Sequence, residues 1–177
     1  MDSNKIKIIL PHKDLANFNN AGRQFQLEKT YDCGYHKILK NQLIDAGIPE
    51  SQLDISLGAR LGYSSDVGPI KLAPLLVVGV RNHSDVVKAC RFAYQHSIPI
   101  TARGAGSGLP AQSVGSGIVL DMRSLDKMEI IADHRDGGKV ILAQSGVVCT
   151  RLNDYLKEFN LFLASYPAST DMMPKKD

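Results

Sequence analysis

The chain has 177 residues, 44% of them hydrophobic and 22% charged, with a net charge of +3. That balance fits one soluble globular domain, or a domain plus an extension, and excludes a disordered or fibrous chain. The charge is too small and too evenly scattered for a nucleic-acid partner, and no aromatics interleave with Arg/Lys clusters as base stacking would need.

Residues 1–55 have a looser texture than the rest. Lys5–Leu10 reads as a short strand, and the apolar stretch before Pro11 is too short for a signal-peptide core. Glu28–Ala46 reads as helical from the spacing of Ile38, Leu39, Leu43 and Ile44, with Gly47 and Pro49 as its stop signal. No chemistry is visible here, and the segment is taken as an N-terminal, partly helical extension.

From Pro74 the pattern sharpens. Leu75–Val80 is continuously apolar, as expected of a strand covered on both faces. The longest apolar run, Leu72–Val80, is about half of a membrane span, so a cytoplasmic protein with no membrane span is expected. Asn82–Asp85 opens a helix, with Ser84 as the expected N-cap and Asp85 at the positive end of its dipole. Val86, Val87, Ala89, Cys90, Ala93 and Tyr94 continue it to His96. Ile98–Thr101 is a second strand. Strand, helix and strand within this short span predict a βαβ unit with parallel strands and a right-handed crossover.

Arg103-Gly104-Ala105-Gly106-Ser107-Gly108-Leu109-Pro110 follows directly, then Gly115-Ser116-Gly117 and a strand at Ile118–Met122. Met128–Ala132 and Lys139–Ala143 predict a hairpin about Asp136-Gly137-Gly138. Cys149–Phe159 fits an amphipathic helix with Thr150 as a cap and Leu152, Tyr155, Leu156 and Phe159 on one face. Cys33, Cys90 and Cys149 share no CxxC spacing, so buried free thiols are expected in place of disulfides or zinc. His12, His36 and His134 have no partners at ligand spacing, and no metal is expected. His83 and His96 flank a helix as capping or surface residues, and Asp121 is expected to order the turn after its strand.

The glycine loop carries the chemistry. Alternate glycines remove obstructing side chains and let several backbone N–H groups face one anion. A Walker A loop needs Lys-Ser/Thr after its last glycine, and Leu109-Pro110 stands there instead. A dinucleotide fingerprint needs a helix immediately afterwards, and the nine residues between Gly108 and Ile118 leave no room for one. Two readings remain from the residues alone: pyrophosphate binding by the loop's own amides, or a tight structural connection. Arg103 is open to a ligand contact or a structural ion pair.

Four landmarks in order bear on that choice: Leu76–Ala93; Ile98–Leu109 with Arg103-Gly104-Ala105-Gly106-Ser107-Gly108-Leu109; Gly117–Met122 with Leu125 and Met128; and Gln144–Val147 followed by Leu161–Thr170. Together they resemble the N-terminal part of FAD-linked oxidases of the vanillyl-alcohol-oxidase/PCMH superfamily, nearest its D-lactate dehydrogenase and glycolate oxidase flavin subunits. Tyr63-Ser64-Ser65-Asp66 is similar to a "Y..D" element that often precedes the module. The resemblance implies an α+β fold over residues 56–177, a PCMH-type FAD-binding module in which a small βαβ parallel subdomain is followed by the start of an antiparallel one. It implies that Arg103 and Gly104–Leu109 hold the FAD pyrophosphate and the flavin side of the cofactor, with Pro167, Ser169 and Thr170 near the flavin ring or adenosine diphosphate. Some members carry a flavin-linked histidine within this loop; this chain has Ser107, which implies non-covalent FAD.

The family pattern continues into a "TIGG…N" segment and a substrate domain, whereas this sequence turns to Met172–Asp177. No catalytic residue is carried over. The expectation is the FAD-binding part of an oxidoreductase acting on a 2-hydroxy acid, with a missing C-terminal half or a partner subunit. The alternative is a truncated, non-catalytic relic or interaction component that does not hold FAD alone.

Overall fold

A computed structural model describes residues 34–133 and 138–163. Helix α1 (Tyr35–Asp45) leads through a 3-10 turn at Glu50–Gln52 to β1 (Leu53–Asp54), a short α2 (Leu57–Gly62), β2 (Leu76–Gly79) and α3 (His83–Gln95). β3 (Ile100–Arg103), β4 (Ile118–Asp121), the hairpin β5 (Met128–Asp133) and β6 (Lys139–Ala143), and α4 (Cys149–Lys157) follow. The first four strands form one sheet in the order β1-β2-β4-β3, and β5 and β6 form a separate antiparallel pair.

Burial explains the strand order. Ile118, Val119 and Leu120 of β4 and Leu76, Val77 and Val78 of β2 are all buried, so these strands take the centre of the sheet. β3 alternates between exposed and half-buried positions and lies at the edge. β2 and β3 are parallel as the βαβ pattern predicts, but β4 sits between them and pairs in parallel with both. A local strand–helix–strand pattern specifies direction; the more completely buried later strand takes the central place. β3 also begins after Pro99, whose carbonyl accepts from the Ile118 N–H at 2.8 Å, so the proline serves the ladder as an acceptor only.

One buried cluster joins Leu39, Leu43, Ile48 and Leu53 to Leu76, Val78, Val80, Ala89, Phe92, Ile118 and Leu120. The described part of the N-terminal segment therefore shares its core with the sheet, and β1 pairs antiparallel with β2. α1 ends as its stop signal predicts: Gly47 adopts φ +88°, and the Ile48 N–H closes on the Leu43 carbonyl at 3.1 Å. Residues 28–33 and the Lys5–Leu10 strand lie outside the described residues.

Several local expectations need correction. The N-cap of α3 is Asn82, whose Oδ1 accepts from the Asp85 N–H at 3.0 Å, and not Ser84. Its inward face is Asp85, Ala89, Phe92 and Ala93, while Tyr94 is 88% exposed and Cys90 points to solvent. The apolar set read from the sequence spanned too wide an arc for one face. Cys90 and Cys149 are free thiols as expected, but not buried ones: Cys90 is exposed and Cys149 half-buried, and Cys33 lies outside the described residues. α4 is capped at Val148 without a side-chain bond, leaving Thr150 inside the helix. α4 also stops at Lys157, where Asn160 in the left-handed region (φ +55°) turns the chain and lets the Leu161 N–H reach the Leu156 carbonyl. The hairpin pairs as predicted, with a register shift that leaves Ile131 outside the ladder.

The buried Asp85 ties three elements together. Its Oδ2 accepts from Gln52 Nε2 at 2.7 Å and from the Arg81 N–H at 2.9 Å, and Gln52 also donates to the Gly79 carbonyl. Burial alone would raise this carboxyl, but the bonds from Gln52 and from the Arg81 and Asn82 backbone outweigh it and hold the group below its ordinary value of 3.8. Asp85→Ala should therefore cost about 1–3 kcal/mol by stranding buried donors, read from urea denaturation at neutral pH. Because the folded pKa is depressed, the wild-type advantage is full above the unfolded carboxylate pKa and fades as pH falls through the folded one. An advantage that instead grew on acidification would contradict this assignment.

Candidate functional site

The parallel ladders set Gly79, Asp121 and Arg103 in one row, Gly79 opposite Asp121 and Asp121 opposite Arg103. All three stand at the C-terminal ends of their strands, the side of an α/β sheet where ligands bind. The glycine loop leaves β3 there. No helix lies between Gly104 and Gly117, in agreement with the room read from the sequence.

Among the described residues, none accepts a hydrogen bond from the backbone N–H groups of residues 104–109. The loop is half-buried to exposed, and Leu109 is 68% exposed. Gly106 sits at φ +72°, and a Cβ there would overlap the Arg103 guanidinium, which lies against it. Unclaimed amides, a left-handed glycine and an adjacent guanidinium are the elements of an anion nest. The residues at hand fit a pyrophosphate. Arg103 and Gly104–Leu109 are thus brought together in one loop, whereas Pro167, Ser169 and Thr170 lie outside the described residues.

The surroundings of Arg103 bear on its two readings. Its Nη1 donates to the Ser113 carbonyl at 3.3 Å, and its Cζ stands 5.3 Å from the centre of the Tyr63 ring. No described carboxylate forms an ion pair with it. The register neighbour Asp121 is already engaged: it accepts from Tyr63 Oη at 2.6 Å, from Arg123 Nη2 at 2.7 Å and Nε at 2.9 Å, and from the Arg123 N–H at 3.1 Å. Arg123 Nη2 also donates to Tyr63 Oη at 2.7 Å. Among the described residues the positive charge of Arg103 has no carboxylate counter-ion.

Burial would raise the Asp121 carboxyl, but the bonds from Arg123 and Tyr63 outweigh it and hold the group below the ordinary carboxylate range. Burial, and then the Asp121 carboxylate, push the Tyr63 phenol above its ordinary value. The hydrogen bond with Asp121 raises Arg123 further still. Asp121 does order the following turn through the Arg123 N–H, as expected. The Tyr63–Asp121–Arg123 triad itself is not legible from residue spacing, because Tyr63 lies fifty-eight positions before Asp121; its one sequence signal is the "Y..D" element.

Beside the loop, a cavity of about 270 Å³ opens at the ends of β2 and β4, lined by Gln52, Asp54, Tyr63, Gly79, Arg81 and Asp121 among others. Tyr63 and Asp121 thus border the cavity on one side and the glycine loop on the other. His83 is an exposed first-turn residue of α3, and His96 is the C-cap of that helix with its ring 4.3 Å from that of Phe92. Among the described residues no cluster of His, Cys, Asp or Glu could hold a metal, and no helix is long and apolar enough to cross a membrane.

Comparison with known proteins gives this geometry a context. Residues 74–173, more than half of the chain, match the profile of an FAD-binding domain. The chain is 37% identical over 112 residues to D-2-hydroxyglutarate dehydrogenase of Escherichia coli (strain K12), covering 62% of this chain and 11% of that protein. It is 31% identical over 114 residues to D-lactate dehydrogenase of Archaeoglobus fulgidus, covering 60% and 25% respectively. The chain therefore spans about a tenth to a quarter of the length of these relatives. Among solved structures it superposes on p-cresol methylhydroxylase with a TM-score of 0.54 at 19% identity, over 73% of this chain and 26% of that one, a likeness of fold. Unclaimed loop amides at the end of β3, the parallel sheet with its separate antiparallel pair, and the matched residues agree: the chain belongs to the FAD-binding-domain family, with a fold of the PCMH/vanillyl-alcohol-oxidase type.

Proposed function

We propose that this chain is the pyrophosphate-holding part of a flavin-dependent oxidoreductase acting on a 2-hydroxy acid, and that it binds FAD without a covalent bond. The observation that carries the reading is the loop itself: among the described residues, nothing accepts from its amides at residues 104–109 and no carboxylate pairs with the adjacent Arg103. The substrate class follows from kinship with a D-2-hydroxyglutarate and a D-lactate dehydrogenase. When bound, FAD supplies the two-electron acceptor that amino-acid side chains lack. The chain's own residues bind and orient it. The amides of Gly104 to Leu109 would donate to the phosphate oxygens, and Arg103 would offset their charge. Ser107 carries a hydroxyl in place of a flavin-linked histidine, which supports non-covalent binding. Pro167, Ser169 and Thr170 are assigned to the flavin or adenosine diphosphate side by their likeness to the family pattern.

The second subdomain favours a companion reading. Two strands alone make a marginal sheet, and Ile131 and Leu142 of the hairpin are 54% and 59% exposed. Full affinity for FAD is assigned to this chain together with further polypeptide, a C-terminal half or a partner subunit, that covers this face and supplies the substrate site.

Titration of the purified chain with FAD tests the reading. Saturable uptake is expected, with all flavin released to the supernatant on denaturation; flavin retained on the unfolded chain would refute the non-covalent assignment. Gly106→Val fills the nest and should weaken binding roughly tenfold to a hundredfold, the loss of one or two charge-assisted hydrogen bonds. Arg103→Gln should weaken it about tenfold and flatten its dependence on salt. Affinity unchanged in both variants would remove the loop from the site, and colourless protein that ignores FAD would favour a relic.

A further inference from the structure

Residues 63–68 lie before the matched FAD-binding region, yet they touch the glycine loop and its return at three points. The face of the Tyr63 ring carries the Arg103 guanidinium at 5.3 Å. Asp66 Oδ2 accepts from Ser113 Oγ at 3.3 Å, while Asp66 Oδ1 accepts from the Gly68 N–H at 2.8 Å. Gly68 runs so close to the Leu109 carbonyl that a Cβ at this position would overlap it. The loop's start, its far end and the segment that returns from it are each met by the same six residues.

That segment is itself anchored. Tyr63 caps α2, with its N–H on the Ala59 carbonyl at 3.0 Å. The Leu72 N–H closes on the Ser64 carbonyl at 2.7 Å, and Ser65 bridges Lys71, so residues 64–72 form a closed loop. The buried Arg60 donates from Nε to the Pro74 carbonyl at 2.7 Å, tying α2 to the approach to β2. The glycine loop, by contrast, makes no backbone–backbone hydrogen bond through residues 104–109 among the described residues. A loop whose amides are kept vacant for a ligand cannot be ordered by those amides; its order has to come from side-chain and backbone contacts outside it.

We infer that Tyr63–Gly68 is a clamp that pre-orders the pyrophosphate loop, with Tyr63 as the positioning residue that holds Arg103 against Gly106. Asp121 and Arg123 complete the device: by bonding the Tyr63 hydroxyl they fix the ring, and by pairing with each other they leave Arg103 free of Asp121. The inference rests on the loop's being a pyrophosphate cradle, and it adds the residues that keep the cradle in shape. Pre-ordering matters because a loop that must be ordered on binding subtracts that cost from affinity.

The test uses the full 177-residue chain without ligand and then with FAD as probe. Backbone order parameters from nitrogen relaxation are measured for residues 104–109 and for β2 and β4, together with the ring-current shift of the Arg103 side-chain protons. Tyr63→Leu should lower the loop order parameters from the rigid range of about 0.85 toward about 0.6, abolish the Arg103 shift and weaken FAD binding about two- to fivefold, leaving β2 and β4 unchanged. Tyr63→Phe keeps the ring face but loses the hydroxyl bonds to Asp121 and Arg123, and should give loop order and an Arg103 shift between those of the wild type and Tyr63→Leu. Gly68→Ala, which leaves Tyr63 in place, should loosen the Leu109 end. Loop order unchanged in both Tyr63→Leu and Gly68→Ala overturns the clamp, and Tyr63→Phe behaving like Tyr63→Leu overturns the role of the ring face. If Tyr63→Leu unfolds the sheet, Gly68→Ala decides. If the wild-type chain takes up no FAD, the function proposed for it fails, while the relaxation measurements still decide the clamp.

Discussion

The register that sets Asp121 between Gly79 and Arg103 is the constraint from which the site grows. In a parallel sheet, residues opposite one another project to the same face, so Asp121 would be the obvious partner for Arg103. That pairing does not form. Asp121 is saturated by Arg123 two residues on and by Tyr63 from the preceding segment, and the Tyr63 ring lies under Arg103 instead. A local pairing at the end of β4 thereby keeps a positive charge available at the end of β3. An exposed ion pair would contribute little stability in any case; its consequence here is to determine which guanidinium has no carboxylate partner among the described residues.

The same logic separates this loop from phosphate sites built on helix termini. Where a helix follows the glycines, its dipole and first-turn N–H groups supply the attraction, and the helix also holds the loop in place. Here fourteen residues without a helix run from Gly104 to Gly117, so attraction and order have to come from different places. In the proposed site the loop amides and Arg103 supply the first, and packing by Tyr63, Asp66 and Gly68 supplies the second. This division explains why residues before the FAD-binding region belong to the functional unit, and why α1 and β1 share the core on which that unit is built.

Reading residues in order recovered much of this. The glycine spacing after a strand, the absence of room for a helix, the hairpin and the stop of α1 at Gly47 are local features, set by steric freedom at glycine and by short-range periodicity. The errors are local rules overruled by tertiary context. Asn82 caps α3 because its extended backbone aims Oδ1 at the Asp85 N–H, although Ser84 has equal intrinsic preference for the role. Asp85 is buried because Gln52 and the Arg81 amide satisfy it, which no hydrophobicity pattern reveals. Cys90 and Tyr94 are apolar by composition yet face solvent, since the helix has room for only one inward stripe.

By itself, then, the sequence determined where the helix-free glycine loop leaves its strand and the parallel direction of the strands that present it, because both follow from backbone freedom and from patterns a few residues long. Tertiary structure alone decided that β4 enters between β2 and β3, that Asp121 is spent on Arg123 and Tyr63, and that Tyr63–Gly68 packs on a loop some forty residues later. Those outcomes depend on which surfaces bury most completely against one another and on which donor reaches a carboxylate first. Both are settled in three dimensions and leave no periodic trace along the chain.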